Sequence, residues 1–229
     1  MSDAREAVLG RLREARGRAG RTEEEDRATV ERRLGVPRAN LIPARADLEL
    51  EERVELFRLQ AEAVQTVVAR VATPDRLPEA VAGFLRKHNL PLQVVIAGDP
   101  WLDGIRFEDA MLEVERGRAA REPDPVGLTV GLAGVAETGT LMLRSSPATP
   151  TTLAFLPDTS VVVLPTARVL RAYEDALALL REEGALPRSV NFITGPSRTA
   201  DIEQTLQLGA HGPRRLLVVL VDRPGASAT

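Results

Sequence analysis

The chain has 229 residues, a net charge of −3, 44% hydrophobic and 28% charged residues, which are values typical of a globular protein. It contains no cysteine, which excludes disulfides, a cysteine nucleophile and an iron–sulfur cluster held by the chain itself. Its two histidines argue against a multi-histidine zinc site, and the balanced charge argues against binding to a nucleic-acid backbone. We therefore expect no metal or cofactor on this chain.

The distribution of apolar residues bears on localisation. The longest unbroken apolar run, residues 216–221, is far shorter than the ~20 residues of a membrane-spanning helix. The first eight residues contain no apolar stretch like that of a signal peptide. We expect a soluble, cytoplasmic protein with no membrane span.

The first 45 residues are rich in arginine and glutamate and poor in apolar side chains. They fit two short amphipathic helices, at about 3–18 and 22–34, whose apolar stripe is too thin to form a core. We predict an N-terminal helical arm over 1–45 that packs on the main domain or on a partner. An α/β domain over 46–222 and a flexible tail over 223–229 follow.

The pattern of the main domain predicts an α/β fold. Apolar residues at spacings of three and four predict one long helix over 48–71, and a second helix follows Pro78 and ends near Asn89. Short, valine-rich runs predict buried strands, with helices between the later ones. The strands are predicted at 93–97, 128–132, 141–144, 161–164, 190–194 and 216–221, and the later helices at about 166–183 and 200–208. This order favours a largely parallel sheet covered by helices on both faces.

The segment 191–203 is a candidate anion-binding site. A predicted strand enters Gly195, and a helix is predicted after Thr199, so backbone N–H groups would point outward at a helix N-terminus. Ser197 and Thr199 would add hydroxyl donors, and Arg198 a bidentate guanidinium. The alternative is that Thr199 only caps the helix.

The segment 133–140 is a second candidate. Glu137 lies between Gly134 and Gly139, and a partly buried carboxylate must be hydrogen-bonded or functional. It could act as an acid–base or nucleophilic group, with Thr138, Gly139 and Thr140 beside a ligand. The alternative is a hairpin whose glutamate and threonine side chains hold the turn together.

His211 is a weaker catalytic candidate. It lies between a predicted helix that ends at Gly209 and the last predicted strand. In a parallel β–α–β unit this loop would lie at the opposite end of the sheet from 195–199, and His211 could then reach that site only from a partner subunit or through an antiparallel last strand.

Four short segments together resemble one known family. They are Ala136-Glu-Thr-Gly-Thr140, Leu156-Pro-Asp158, Gly195-Pro-Ser-Arg-Thr-Ala-Asp-Ile-Glu203 and Gly209-Ala-His-Gly-Pro213. Their order and spacing, over residues 45–222, resemble the lactate utilization protein C family, which is characterised by the LUD domain. The first 45 residues carry none of its motifs.

The resemblance implies a fold similar to that of the sugar-phosphate isomerase and CoA-transferase superfamily. It also implies a role in oxidising L-lactate to pyruvate, in a protein complex with two cysteine-rich partners that carry iron–sulfur clusters. A chain without cysteine can be the cluster-free member of such a set.

Two hypotheses follow. The first is a cluster-free accessory subunit that binds partners through its arm and an anionic metabolite at 197–199. The second is a stand-alone enzyme of the isomerase and CoA-transferase type, with Glu137 as the acid–base or nucleophilic carboxylate and Arg198 as the anchor for a phosphate or carboxylate. We prefer the first, because the sequence shows no convincing pair of general acid and base.

Overall fold

The computed structural model describes residues 2–15, 23–35, 42–182, 184, 186–200, 206–208 and 212–222. The chain divides into two compact units, Met1–Leu41 and Ile42–Thr229. The first contains the helices α1 (Ser2–Ala15) and α2 (Glu23–Gly35), close to the predicted 3–18 and 22–34. That this segment is an interaction arm stays a prediction.

The second unit contains both helices and strands. Its helices are α3 (Leu50–Ala63), α4 (Leu77–Lys87), α5 (Thr152–Phe155) and α6 (Tyr173–Glu182). Its strands are β1 (Val67–Val71), β2 (Gln93–Ile96), β3 (Glu113–Arg116), β4 (Val126–Val130), β5 (Ala133–Val135), β6 (Thr140–Arg144), β7 (Thr159–Pro165), β8 (Val169–Leu170), β9 (Val190–Ile193), β10 (Arg198–Ala200), β11 (Leu206–Leu208) and β12 (Arg215–Val221).

The main sheet has six strands in the order β1-β12-β7-β4-β2-β3, and every neighbouring pair is parallel. Strand β7 is buried along its whole length because both faces of the main sheet are covered by other parts of the chain. Val161 and Val163 pack in the core that contains α4, whereas Val162 and Leu164 pack in the core that contains α3. The predicted α/β class with a largely parallel sheet is confirmed.

A second sheet of four strands, in the order β8-β5-β6-β9, lies on the α3 side of the main sheet. The chain passes from one sheet to the other at Gly131–Leu132, so the strand predicted at 128–132 extends beyond the end of β4. Strands β5 and β6 form an antiparallel hairpin, and β9 pairs antiparallel with β6. Helix α6 packs on this sheet around Ala176 and Leu180.

The prediction of one helix over 48–71 is wrong in its second half. Helix α3 ends at Ala63, Gln65 has a left-handed backbone with φ of 69°, and residues 67–71 form the edge strand β1. Valines at 64, 67, 68 and 71 fit a helical spacing, but β-branched side chains also favour strands. Their apolar spacing alone does not separate the two structures.

Two later helices also differ from prediction. Over 166–183, residues 166–168 form a 3₁₀ turn, 169–170 form β8, and only Tyr173–Glu182 is α-helical. The helix predicted over 200–208 is wrong, because β10 and β11 pair there as antiparallel strands with Arg198 opposite Leu208. No helix in the described residues is long and apolar enough to cross a membrane.

Candidate functional site

The two motif turns singled out from the sequence lie side by side. One joins β5 to β6 and contains Thr138 and Gly139, and the other follows β9 and contains Thr194 and Gly195. Because Leu141 pairs with Ile193 in the antiparallel β6–β9 ladder, Thr140 and Thr194 come next to each other, with their Oγ1 atoms 2.7 Å apart. The structure thus brings Thr138, Gly139 and Thr140 together with Gly195.

Both motif glycines pack against the C-terminal end of α3. Gly139 has φ of 64°, and a Cβ atom there would lie 2.3 Å from the backbone nitrogen of Ala61. Gly195 has φ of 84°, and a Cβ atom there would lie 2.6 Å from the carbonyl oxygen of Val64. These glycines are required because the turns approach the helix backbone closely with a left-handed conformation. Packing against α3 therefore explains why both motif positions are glycine.

Four hydroxyl groups form a cluster where these turns meet. The Thr140 Oγ1 atom lies 2.7 Å from that of Thr138, 2.7 Å from that of Thr194 and 3.0 Å from the Tyr173 hydroxyl oxygen. The Thr138 hydroxyl also donates to the Tyr173 oxygen, at 3.2 Å. Since Thr140 is fully buried, its hydroxyl depends on these partners. The cluster joins β6, β9 and the start of α6.

Glu137 lies in the same hairpin turn, with its side chain 12% exposed. Its Oε1 atom accepts a hydrogen bond of 2.7 Å from the Arg45 guanidinium, and its backbone N–H donates to the carbonyl of Arg171 at 3.2 Å. This pairing satisfies a carboxylate that would otherwise be costly to enclose. The hairpin that the sequence offered as the alternative is present, and a catalytic role for Glu137 stays a prediction.

The segment 195–199 does not stand at a helix N-terminus. Arg198 and Thr199 belong to strand β10, and the Ser197 N–H donates to the carbonyl oxygen of Pro213 at 2.8 Å. The outward-pointing N–H groups on which the predicted anion site depended are therefore not supplied by a helix here. The Arg198 side chain is exposed, and anion binding at Ser197, Arg198 and Thr199 stays a prediction.

His211 itself lies outside the described residues. Its neighbour Gly212 contacts Ser197, since a Cβ atom at Gly212 would lie 3.3 Å from the Ser197 Cβ. The expectation that this loop and the segment 195–199 lie at opposite ends of one parallel sheet is wrong, because β9 belongs to the second sheet and runs antiparallel to β6. Within the described residues, no three His, Asp or Glu side chains are grouped as metal ligands would be.

A narrow crevice at the carboxyl ends of the main-sheet strands carries two arginines that the sequence analysis did not select. Its cavity of about 20 Å³ is lined by Asp99 after β2, Val130 to Leu132 at the end of β4, Arg144, Thr149 and Arg168. Strands β2 and β4 are neighbours, but β2 leads to β3 on one side and β4 leads to β7 on the other. Such a reversal of direction is where open α/β sheets bind ligands.

The charge of the crevice favours a small anion. Arg144 and Arg168 are exposed, and Arg168 forms no hydrogen bond or ion pair with any residue that the structure describes. Among the described lining residues, Asp99 is the one carboxylate, and it accepts a hydrogen bond from the Trp101 N–H at 2.9 Å. Planar guanidinium groups bind carboxylates and phosphates through paired hydrogen bonds. A cavity of this volume holds about one water-sized group, such as a single carboxylate oxygen, and has no room for a nucleotide.

Sequence reasoning missed these arginines for a definite reason. Arg168 fell inside a predicted helix, and Arg144 ends a strand of the second sheet, whose position over the main sheet no local pattern reveals. One feature of the sequence could have identified Arg168: it comes three residues after a buried, valine-rich strand, at the sheet edge where ligands bind.

Comparison with protein families gives one match to most of the chain. The family model described as LUD domain matches residues 54–221. This range contains α3 from Val54 and both sheets, together with the hydroxyl cluster and the arginine crevice. The match therefore covers the whole region on which the motif resemblance depended.

Curated relatives match parts of the same region. An uncharacterized protein from Neisseria meningitidis, NMB1437, is 40% identical over 96 residues, which are 42% of this chain and 41% of that protein. Lactate utilization protein C of Anoxybacillus flavithermus is 36% identical over 115 residues, 48% of this chain and 52% of that protein. In these two matches the chain spans about half the length of the relative or less. Lactate utilization protein C of Bacillus pumilus is 29% identical over 76% of this chain and 80% of that protein.

A solved structure has the same fold. The crystal structure of a DUF162 family protein from Deinococcus radiodurans superposes with a TM-score of 0.58 and 22% sequence identity. The superposition covers 76% of this chain and 99% of that chain. At this identity the likeness shows the fold alone.

Proposed function

The chain belongs to the LUD domain family, and from this premise we propose that it acts in lactate utilization as a cytoplasmic subunit that carries no iron–sulfur cluster. The resemblance predicted from the sequence motifs is confirmed by the family match and by the curated relatives named lactate utilization protein C. In this proposal, cysteine-rich iron–sulfur proteins are its partners. The absence of cysteine supports this assignment, because the chain cannot itself hold a cluster through thiolates.

The arginine crevice carries the proposal that this subunit binds a small anion. Arg144 and Arg168 converge on a site at the carboxyl ends of β2, β4 and β7, and Asp99 supplies its only lining carboxylate among the described residues. Two guanidinium groups and little space favour the carboxylate of a short acid over a bulky phosphate ester. L-lactate and pyruvate are short carboxylic acids that could place a carboxylate oxygen between the two guanidinium groups.

The alternative function is a stand-alone enzyme in which Glu137 is the acid–base or nucleophilic carboxylate. The Arg45–Glu137 ion pair does not favour it, because the Arg45 guanidinium, 2.7 Å from Glu137 Oε1, occupies one of the carboxylate oxygens. The two functions separate in the variant Glu137→Gln. If Glu137 is catalytic, Glu137→Gln should still bind its ligand but have no turnover. If the chain is an accessory subunit, Glu137→Gln should leave anion binding unchanged.

Anion binding is tested by calorimetric titration of the purified protein with L-lactate, pyruvate and phosphate. We expect saturable binding of a carboxylate that Arg168→Ala weakens about tenfold, the loss expected for a charge-assisted hydrogen bond. Arg168→Ala should leave the melting temperature of the protein unchanged, because Arg168 is exposed and forms no hydrogen bond or ion pair with a described residue. Arg188→Ala is the matched control, since Arg188 is also exposed and does not line the crevice. Equal losses in both variants would contradict a specific site.

Partner binding is tested by anaerobic co-purification of the tagged protein from its native cells grown on lactate, with iron and flavin assayed in the eluate. We expect iron to elute together with cysteine-rich proteins. A variant lacking residues 1–40 should retain its fold and lose iron if the arm binds the partners. Iron-free protein after chemical cross-linking of the cells would contradict the accessory-subunit proposal.

A further inference from the structure

A second and much larger cavity lies on the other side of the turn at Asp99–Trp101. It has a volume of about 540 Å³ and lies between the start of α4 and the segment 101–110 that follows β2. Volumes of about 300–1,000 Å³ are typical of sites for small organic ligands. The cavity is distinct from the arginine crevice, since none of the residues that the structure describes lines both.

The walls of this cavity are largely apolar. They are formed by the side chains of Pro74, Pro78, Trp101, Ile105 and Ala110. Trp101 is half-buried and is the single tryptophan of the chain. An indole beside an open cavity offers a π-face, which attracts organic cations when they lose part of their water.

The charged residues of the lining are mostly acidic. Four carboxylates, those of Asp75, Glu79, Asp103 and Asp109, face one guanidinium, that of Arg106. Arg106 is already paired with Asp109, at 3.1 Å. The cavity therefore keeps an excess of negative charge around an apolar floor, the reverse of the arginine crevice.

Local pairing accounts for only part of this negative charge. Asp75 and Glu79 lie 3.5 Å from Arg76 and Arg86, which do not line the cavity. The Asp103 carboxylate has no hydrogen bond or ion pair with any described residue. A hydrogen bond from Thr73 lowers the pKa of Asp75, which keeps this carboxylate ionised near neutral pH. Asp103 is thus the carboxylate best placed to pair with a ligand.

We propose that this cavity binds a small organic cation, an alkylammonium or alkylguanidinium whose apolar body packs against Trp101 and Ile105 and whose charge lies among the carboxylates. The apolar walls select against inorganic cations, which keep their water. The acidic rim selects against neutral and anionic molecules of the same shape. The size of the cavity favours a free small molecule over a folded partner.

Because Trp101 is the single tryptophan, its fluorescence reports occupancy directly. The full-length protein is titrated with n-butylammonium and n-butylguanidinium, and with n-butanol and butanoate as neutral and anionic molecules of similar shape. We expect a saturable change of the Trp101 emission with the two cations, confirmed by calorimetry, and none with the other two. A response to butanol equal to that of the cations, or no saturable response to either cation up to ~10 mM, would overturn the proposal.

Two substitutions locate the bound charge. Asp103→Asn should weaken cation binding about two- to fivefold, the range expected for an exposed ion pair. The melting temperature should not change, because the Asp103 carboxylate pairs with no residue in the described part of the chain. Glu108→Gln is the matched control, since Glu108 is an exposed acid of the same segment that does not line the cavity. Equal weakening by both variants would overturn the site. Binding of an oligoarginine peptide without binding of the free cations would overturn it too, in favour of a protein segment as the occupant.

Discussion

The Oγ1 atoms of Thr140 and Thr194 lie 2.7 Å apart, although 54 positions separate the two residues along the chain. This contact joins the hairpin turn of β5 and β6 to the turn after β9, which are the two segments with the most recognisable motifs. With Gly139 and Gly195 packed on the end of α3, it fixes the second sheet against the helix. Many of the motif residues thus stabilise the packing of the second sheet against α3.

The hydroxyl cluster yields a prediction about burial. Thr140→Val should lower the free energy of unfolding by about 1–2 kcal/mol, because it removes a buried hydroxyl and leaves Thr138 and Tyr173 without that partner. Thr194→Val should lower the free energy of unfolding by less, since Thr194 is exposed and water can form the hydrogen bond in place of its partner. Urea denaturation of both variants measures the difference. An equal cost would show that the cluster does not depend on the buried threonine.

The motif glycines yield a second prediction. Gly139→Ala should destabilise the protein by more than about 2 kcal/mol, because the added Cβ meets the α3 backbone and the left-handed φ is strained. Gly195→Ala should behave in the same way. Gly104→Ala is the control, since Gly104 has φ of 75° with no atom within 4 Å of the added Cβ, and it should cost only about 1 kcal/mol.

Thermal and urea denaturation measure these losses. Similar losses in all three glycine variants would show that backbone conformation alone explains the glycines. In that case the close approach to α3 would not restrict which residues Gly139 and Gly195 can be replaced by.

Residues buried in continuous apolar runs were predictable, and residues whose structure depends on a partner strand were not. Strand β12 is a run of seven residues, of which six are buried, so its sequence alone indicates a central strand. Strand β1 has no fully buried residue and pairs with β12 at the edge of the sheet, and its valines also fit a helix. Tertiary pairing decided between two local structures of similar preference.

The site was predictable in its segments and not in its geometry. Glu137, Thr140 and Gly195 were selected from their motifs, yet only the antiparallel β6–β9 pairing shows that Thr140 lies beside the turn at Gly195. Of the two crevice arginines, Arg144 ends a strand of the second sheet and Arg168 lies in the 3₁₀ turn after β7, so no spacing along the chain connects them. Two strands of the second sheet, β6 and β9, were predicted at 141–144 and 190–194, whereas the short β5 and β8 were not, so nothing in the pattern showed that the four strands form a separate sheet.

The ion pair of Arg45 and Glu137 yields a third prediction. Arg45→Ala should lower the free energy of unfolding by about 1 kcal/mol, because it leaves the largely enclosed Glu137 carboxylate without its cation. A double-mutant cycle with Glu137→Gln should give a coupling energy of about 0.5–1 kcal/mol. The exposed pair Arg106–Asp109 is the control, with a coupling near zero. Equal coupling in both pairs would contradict the importance of burial at Glu137.

The fourth prediction concerns acid stability and rests on Asp124. The Arg118 guanidinium donates to both carboxylate oxygens of Asp124, at 2.7 and 2.8 Å, and the Arg121 N–H donates to one of them at 2.6 Å. These bonds, that of Arg118 first, lower the pKa of Asp124 from its ordinary 3.8 to about 2. Because the folded state favours the ionised form, the stabilisation is complete above the ordinary pKa and is lost as the pH falls through about 2.

Asp124→Asn should therefore lower the free energy of unfolding by about 1–2 kcal/mol at pH 7. This value is smaller than the full pKa shift implies, because solvent screens an ion pair in which the Arg118 and Asp124 side chains are 21% and 16% exposed. Urea denaturation between pH 7 and pH 2 should show this difference shrinking as the pH approaches 2. Asp103→Asn is the control, and its difference should stay near zero throughout, because Asp103 has no ionic partner among the described residues. A difference for Asp124→Asn that does not change with pH would mean that packing, and not the ionised carboxylate, stabilises this loop.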